Sequence, residues 1–190
     1  MHNNKSLTLK YIGYVLFISI LTIIDQVTKL IAVDKLKDSD SFIIWDGVFE
    51  LSYVENRGAA FGMQEGKITM FIIITAILVP VLMFGIYKID KLIKVKGDTI
   101  NRRGFLLLQT DLALLIAGAI GNLIDRIVNG YVVDFLYFKL IDFPVFNVAD
   151  CYVTIATIAL ILIGFFMLSE KELDYLLHSQ KKWEDIDEDK

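Results

Sequence analysis

Residues 68–87 read ITMFIIITAILVPVLMFGIY, twenty consecutive residues without one charged side chain. An α-helix rises 1.5 Å per residue, so a helix of this length covers the ~30 Å hydrocarbon core of a bilayer. Three further runs of similar length are also predominantly apolar, at residues 11–33, 104–124 and 148–168. We therefore predict an all-α, polytopic membrane protein with four transmembrane helices.

The composition of the whole chain agrees with this prediction and excludes several other classes of protein. Of its 190 residues, 55% are hydrophobic and only 22% are charged, values that exclude an intrinsically disordered chain. The net charge is −4, so the chain has no basic excess that would attract nucleic acid. Its single cysteine, Cys151, excludes an intramolecular disulfide framework and a multi-cysteine zinc site.

The charges between the apolar runs predict the orientation of the helices. Residues 88–103 contain six Lys or Arg side chains and two Asp side chains, which places this loop in the cytoplasm by the positive-inside rule. Both termini then lie in the cytoplasm, and residues 34–67 and 125–147 lie outside. We expect residues 1–168 to form the membrane domain and residues 169–190 to form a solvated, acidic cytoplasmic tail.

The first outer segment has the pattern of a small β-sheet rather than of a helix. Apolar and aromatic residues at 42–44 and 48–54 flank Trp45-Asp46-Gly47, and Asp-Gly is a strong signal for a β-hairpin. Trp45 also suits the interface between lipid and water. We predict an extracytoplasmic β segment over residues 42–62 that touches the membrane.

Several polar side chains fall at one depth, near the outer ends of the predicted helices. Ionisable groups inside a membrane are costly, so each of them needs a partner or a function. Asp134 is placed by the sequence on the loop between the third and fourth helices, inside an apolar stretch. The residues predicted to converge at this level are Asp25, Asn122, Asp125, Asp134 and Asp150.

Some of these residues also have a purely structural interpretation. Asp25 and Lys29 are four residues apart, with the acid first, as in an ordinary stabilising helix pair. Asn147 can cap the fourth helix, with Asp150 at the third position of a capping box. These alternatives remain open from the sequence alone.

The ionisable groups on the outer side favour carboxylate chemistry. The two histidines, His2 and His178, map to the cytoplasmic side, which argues against a mechanism that pairs Ser or Cys with His. Two neighbouring carboxylates share a proton because both cannot ionise cheaply. The dipole of the fourth helix favours an ionised Asp150, which is the expected initial base. An apolar setting raises the pKa of Asp134, which is the expected carrier of the proton.

Five short motifs occur along the chain in a characteristic order. They are Asp25-Gln26-Val27-Thr28-Lys29, Asn56-Arg57-Gly58-Ala59-Ala60-Phe61-Gly62, Gly121-Asn122-Leu123-Ile124-Asp125-Arg126, Val132-Val133-Asp134-Phe135 and Phe146-Asn147-Val148-Ala149-Asp150. In order and spacing they resemble the motifs of the bacterial lipoprotein signal peptidases (signal peptidase II), over roughly residues 11–168. Each motif is weak alone, but the set is highly specific.

This resemblance implies a four-helix aspartyl endopeptidase of the bacterial cytoplasmic membrane that needs no metal or other cofactor. Its substrates are diacylglyceryl-modified prolipoproteins, cut just before the lipidated Cys at the outer face, and globomycin-type inhibitors bind in the same cleft. We expect a monomer whose other partner is membrane lipid. The implied catalytic dyad is Asp134 and Asp150. Residues implied to bind substrate or order the site are Asn56, Asn122, Arg126 and Asn147, with Gly58 allowing close backbone approach and Asp25, Lys29 and Asp125 in support.

The main alternative is a proton- or ion-coupled small membrane transporter, because membrane carboxylates also form proton and ion pathways. Here the carboxylates cluster at one face, with no comparable ladder through the inner half. A non-catalytic assembly or lipid-binding subunit, and a metal-assisted hydrolase, are two further alternatives.

Overall fold

Four long helices dominate the computed structural model, which describes residues 2–58 and 68–178. They are α1 (His2–Leu36), α2 (Ile68–Lys96), α3 (Arg102–Val128) and α4 (Val148–Phe166). All four are long and apolar enough to cross a membrane. The predicted number of transmembrane helices and the predicted fold class are confirmed.

Helix α3 is the centre of the bundle and packs against the other three long helices. Small residues allow α4 to approach it closely. A Cβ atom added to Gly118 would lie 2.6 Å from the backbone oxygen of Ala149 and 2.8 Å from Cγ2 of Val153. A larger residue at this position would therefore force α3 and α4 apart.

The other helices present large apolar side chains to their surroundings. Ile77 on α2 is 62% exposed, and Phe165 on α4 is 82% exposed. By contrast, Phe105 and Ile116 on α3 are fully buried. This distribution is that of a bundle whose outer surface contacts lipid tails.

A three-stranded antiparallel sheet lies beyond the helices, in the order β1 (Phe42–Trp45), β2 (Phe49–Asn56) and β3 (Val132–Tyr137). Gly47 has φ +67° in the turn between β1 and β2, as the predicted hairpin requires. The predicted β segment continued to residue 62. Residues 59–62 lie outside the described part of the chain.

The prediction that Asp134 lies on a loop is wrong. Asp134 belongs to β3 and pairs with Val54 of β2. The strand forms because the flanking Val133 and Phe135 are buried against Ala32 and Leu36 near the end of α1. This packing fixes the sheet at the end of the bundle where α1 and α3 finish and α4 begins, which we call the sheet end.

The prediction of a solvated tail from residue 169 is also wrong for its first part. A fifth helix, α5 (Glu170–Leu177), begins with a capping box between Ser169 and Glu172. Glu172 also accepts a hydrogen bond of 2.5 Å from the backbone N–H of Asn101, and Tyr175 is buried in the core. The capping box and one apolar stripe let this segment pack on the bundle. Residues 179–190 lie outside the described chain.

Candidate active site

Asp134 is held by amide groups from two different elements. Its Oδ1 accepts a hydrogen bond of 2.6 Å from Nδ2 of Asn147, and its Oδ2 accepts one of 2.8 Å from Nδ2 of Asn56. The side chain of Asn56 is itself oriented, because its Oδ1 accepts from the backbone N–H of Gly58 at 3.0 Å. Asp134 is only 1% exposed.

Asp150 lies in the first turn of α4, where it completes the predicted capping box with Asn147. Asn147 Oδ1 accepts from the Asp150 N–H at 3.0 Å, and Asp150 Oδ2 accepts from the Asn147 N–H at 3.1 Å. The other oxygen, Oδ1, accepts from Nδ2 of Asn122 at 2.8 Å. The predicted capping box is therefore present in the structure. Asn147, which forms it with Asp150, also connects Asp150 to Asp134.

A buried ion cluster lies behind Asn122. Nζ of Lys29 lies 2.9 Å from Asp25 Oδ2 and 3.1 Å from Asp125 Oδ2, and it donates to Asn122 Oδ1 at 2.9 Å. Lys29 is 3% exposed and Asp25 is fully buried, so they are not an ordinary surface helix pair. Because Asn122 Oδ1 accepts from Lys29, its Nδ2 is left to donate to Asp150.

Asp25 also fixes the beginning of α4 from another helix. Its Oδ1 accepts from the backbone N–H of Ala149 at 2.9 Å, which satisfies a donor that the first turn of α4 leaves free. Gly121 makes room for this contact, since a Cβ atom there would lie 2.5 Å from Asp25 Oδ2. The carboxylate of Asp25 thus links α1 to the turn that carries Asp150.

Two further residues, which were not predicted from the sequence, support this arrangement. Nε2 of Gln26 donates to Asp125 at 2.9 Å and lies 3.2 Å from Asp25, and the ring of Phe71 lies 4.9 Å from the guanidinium of Arg126. Gln26 lies inside the first motif, so its position in the sequence could have indicated a role at the site. Nothing in the sequence pairs Phe71 with Arg126, because that contact depends on the rotation of α2.

Burial and a neighbouring negative charge raise the pKa of Asp134 from its usual value to about 7. Burial is the larger cause, and the charge of Asp150 adds to it. The hydrogen bonds from Asn56 and Asn147 act in the opposite direction, because they stabilise the ionised carboxylate. Near neutral pH, Asp134 can therefore hold or release a proton.

Both carboxylates line one cleft, with a volume of about 1160 Å³. Arg126, Asn56 and Gly58 line it as well. On the far side of Asp134 the cleft is aromatic, and the ring of Phe146 contacts those of both Phe138 and Phe143. The structure thus brings the predicted catalytic and binding side chains together. Lys29, Asp25 and Asp125 lie behind them.

The side chains of the described residues were compared with the groups that hold metal ions in proteins. Within residues 2–58 and 68–178, no group of three or more His, Cys, Asp or Glu side chains is arranged to hold a metal ion. That the reaction needs no metal remains a prediction, to be tested with a chelator.

A family model described as signal peptidase (SPase) II matches residues 17–166 of the chain. The chain belongs to the signal peptidase II family. This membership confirms the resemblance carried by the five motifs and identifies the protein as a peptidase. The site described above lies within the matched residues.

Individual relatives agree with the family match. A lipoprotein signal peptidase of Halothermothrix orenii is 43% identical over 143 residues, which are 75% of this chain and 88% of the relative. One from Clostridioides difficile is 38% identical over 157 residues, 83% of this chain and 97% of the relative. A bacterial membrane enzyme solved at 2.3 Å resolution is 36% identical, with a TM-score of 0.66 over 84% of this chain and 93% of its own.

Proposed function

We propose that this signal peptidase II family member is an aspartyl endopeptidase with Asp134 and Asp150 as its catalytic dyad. One observation carries the proposal: Asn147 donates to Asp134 through its side chain and to Asp150 through its backbone N–H, in one cleft. Two carboxylates that share a proton can divide the roles of acid and base.

The proposed reaction begins with a water in the cleft between the two carboxylates. Ionised Asp150 takes a proton from this water as its oxygen attacks the scissile carbonyl carbon, and Asp134 gives its proton to the carbonyl oxygen. The tetrahedral diol then collapses. Asp134 recovers a proton from a hydroxyl, Asp150 protonates the leaving nitrogen, and the C–N bond breaks. The products are a carboxylic acid and an amine, and the dyad again holds one proton.

The remaining polar residues divide into two groups in this proposal. Asn56 and Arg126 line the cleft, so they are placed to contact the substrate backbone and the developing negative charge on the carbonyl oxygen. Asn122 and Asn147 orient the dyad, and Lys29, Asp25 and Asp125 hold Asn122 in turn.

The proposed substrates are prolipoproteins that carry a diacylglyceryl group on a cysteine, and the bond cut is the one before that cysteine. The relatives are named lipoprotein signal peptidases. The aromatic side of the cleft suits a ligand with apolar chains. Because acyl chains anchor the substrate in the bilayer, they would also set the height of the scissile bond. A globomycin-type inhibitor would compete for this cleft.

The proposed location is the bacterial cytoplasmic membrane, with both termini in the cytoplasm and the sheet end at the outer face. The basic residues in the last turns of α2 and at the start of α3 support this orientation. A monomer suffices for the proposed reaction, since α1, α3, α4 and the sheet of one chain supply every residue named in it.

The test is cleavage of a diacylglyceryl-modified prolipoprotein by the purified protein in detergent with EDTA, followed as a gel shift. Asp134→Asn and Asp150→Asn should each lower kcat by about 10²- to 10⁴-fold, the usual contribution of a general acid or base. Asp142→Asn is the matched control, because Asp142 also lines the cleft but pairs with the Tyr137 hydroxyl.

Each outcome of this experiment is informative. Near-normal turnover in either dyad variant would remove that residue from the mechanism. Loss of cleavage with EDTA, restored by added metal, would favour metal-assisted hydrolysis. If the folded wild-type protein cleaves nothing, proton or ion flux in liposomes that depends on Asp134 becomes the decisive measurement for the transporter.

A further inference from the structure

Helix α2 supplies no residue to the proposed reaction, yet its first turn touches the site. The ring of Phe71, in that turn, faces the guanidinium of Arg126 on α3, with 4.9 Å between the ring centroid and Cζ. A cation this close to the face of an aromatic ring is attracted by the ring electrons. Arg126 lines the cleft and Phe71 does not, so Phe71 contacts the guanidinium from outside the cleft.

The packing of α2 on α3 explains why these two residues meet. Nε2 of Gln109 on α3 donates to the backbone oxygen of Ile86 on α2 at 2.9 Å. From this contact the two antiparallel helices run about 25 Å to Arg126 and about 22 Å to Phe71. The buried residues of α2 begin at Ile86. The contact between Phe71 and Arg126 therefore joins α2 to α3 far from the buried part of α2.

Arg126 needs a restraint because two carboxylates line the same cleft. Within the described chain, Asp134 and Asp150 accept hydrogen bonds from asparagines, and neither forms a salt bridge with Arg126. Arg126 instead donates to the backbone oxygen of Asn122 at 3.3 Å, one turn earlier in α3. An ion pair between Arg126 and Asp150 would stabilise the charged carboxylate and weaken it as a base. The ring of Phe71 favours the position in which Arg126 lines the cleft without this pairing.

We propose that Phe71 is a positioning residue that keeps the guanidinium of Arg126 available to the substrate and away from the dyad. This inference rests on the proposed function, in which Arg126 meets the negative charge that develops on the carbonyl oxygen. A leucine at position 71 is also apolar but has no ring face to attract the cation. The guanidinium can then leave its position, and the transition state loses part of its stabilisation.

The test is a double-mutant cycle, measured as kcat and KM on the diacylglyceryl-modified prolipoprotein in detergent. Phe71→Leu should lower kcat about tenfold with KM nearly unchanged, because the lost contact is made in the transition state. Arg126→Gln should lower kcat by about 10²-fold. Adding Phe71→Leu to Arg126→Gln should lower kcat by less than about twofold further, because the ring then has no cation to hold.

Three further variants separate this role from simple packing. Phe71→Tyr keeps the ring face and should retain a kcat near that of wild type. Phe71→Met also removes the ring, and it replaces Phe71→Leu in the cycle if that protein does not fold. Phe84→Leu is the matched control on α2, since Phe84 is 62% exposed and its ring pairs with that of Tyr87 at 6.3 Å. Its kcat should equal that of wild type.

Several results would overturn the proposal while leaving the peptidase activity established. They are an unchanged kcat in folded Phe71→Leu, an unchanged kcat in Arg126→Gln, or a loss in Phe71→Tyr as large as in Phe71→Leu. An undiminished effect of Phe71→Leu in the Arg126→Gln protein would show that Phe71 acts by packing alone, and would overturn it as well. Failure of the folded wild-type protein to cleave the substrate would overturn the proposed function itself.

Discussion

Nδ2 of Asn147 lies 2.6 Å from Oδ1 of Asp134, the shortest of the hydrogen bonds that hold the two carboxylates. The same asparagine is the N-cap of α4, whose first turn carries Asp150. A single residue therefore sets both the start of a transmembrane helix and the position of the carboxylate across the cleft. Its two tasks can be separated by mutation.

The first prediction compares Asn147→Ala with Asn147→Ser. Alanine removes both the cap and the amide, so it should lower the free energy of unfolding by about 1 kcal/mol as well as the rate. Serine is also a good N-cap, so it should recover most of the stability. It cannot reach Asp134 as the amide does, and kcat should stay about 10²-fold low because the dyad is misplaced.

Thermal unfolding in detergent and single-substrate kinetics on both variants would check this. Recovery of stability and rate together in Asn147→Ser would show that Asn147 acts only as a helix cap. Recovery of neither would point to a larger change in α4.

The second prediction concerns pH. In the proposed mechanism Asp134 must hold a proton to act as the acid. Because its pKa is raised to about 7, cleavage should decline as pH rises through about 7. The hydrogen bond from Asn56 lowers this pKa. Asn56→Ala should therefore move the alkaline limb of the kcat profile to higher pH, besides lowering the rate. Asp142→Asn, a cleft variant that does not touch Asp134, should leave the limb in place.

The raised pKa of Asp134 also makes the free energy of unfolding depend on pH, in a direction that can be predicted. The folded pKa of about 7 exceeds the ordinary value of 3.8, so the folded state binds more protons than the unfolded state between these values. This contribution to stability is present in full below about pH 4 and is lost as pH rises through about 7. Asp134→Asn should flatten that part of the curve of melting temperature against pH. An unchanged slope would contradict the assignment.

The third prediction compares two lysines of α1. Lys29→Gln leaves Asp25 and Asp125 buried without their cation, and should cost about 3–5 kcal/mol of unfolding free energy, with loss of activity. Lys35 also pairs with a carboxylate at 2.9 Å, that of Asp34, but both side chains are more than two-thirds exposed. Lys35→Gln should leave the free energy of unfolding almost unchanged, because solvent screens this exposed pair. Equal effects in unfolding experiments would show that the buried cluster is not a unit.

The fourth prediction concerns the space for Asp25. Gly121→Ala places a methyl group against Asp25 Oδ2, so it should cost about 1–3 kcal/mol and reduce cleavage by shifting the first turn of α4. Gly164 on α4 has nothing within 4 Å of an added Cβ atom, and Gly164→Ala is the matched control. A fully active Gly121→Ala protein would mean that Asp25 can move without disturbing Asp150.

The helices could be predicted from sequence because each apolar run is long enough to be unambiguous. The ends of these helices could not be predicted in the same way. The second run was placed at residues 68–87, yet α2 continues to Lys96, since a helix satisfies its backbone groups internally and the basic residues suit its last turns. The packing of α5 on the bundle could not be predicted, although its leucines have helical spacing, because its burial depends on contacts with Asn101 and other residues distant in sequence.

The site could be predicted at the level of which residues meet, because depth along four helices brings them together. How they pair could not be predicted, since that depends on helix rotation. The donation from Lys29 to Asn122, the bridge made by Gln26 and the ring of Phe71 on Arg126 are all of this kind. Asp134 was taken for a loop residue because an acid interrupts the apolar pattern that marks a strand.

The carboxylate of Asp25 on α1 accepts a hydrogen bond from the backbone N–H of Ala149 on α4. The site therefore needs both the first and the last transmembrane helix to be made. The ribosome delivers α1 first and α4 last of the four spans. Until the last span has entered the bilayer, Asp150 is absent from the site around Asp25 and Asn122. In the proposed mechanism Asp150 is the base that activates water, so a chain that lacks α4 would be inert and proteolysis would begin only when insertion is complete.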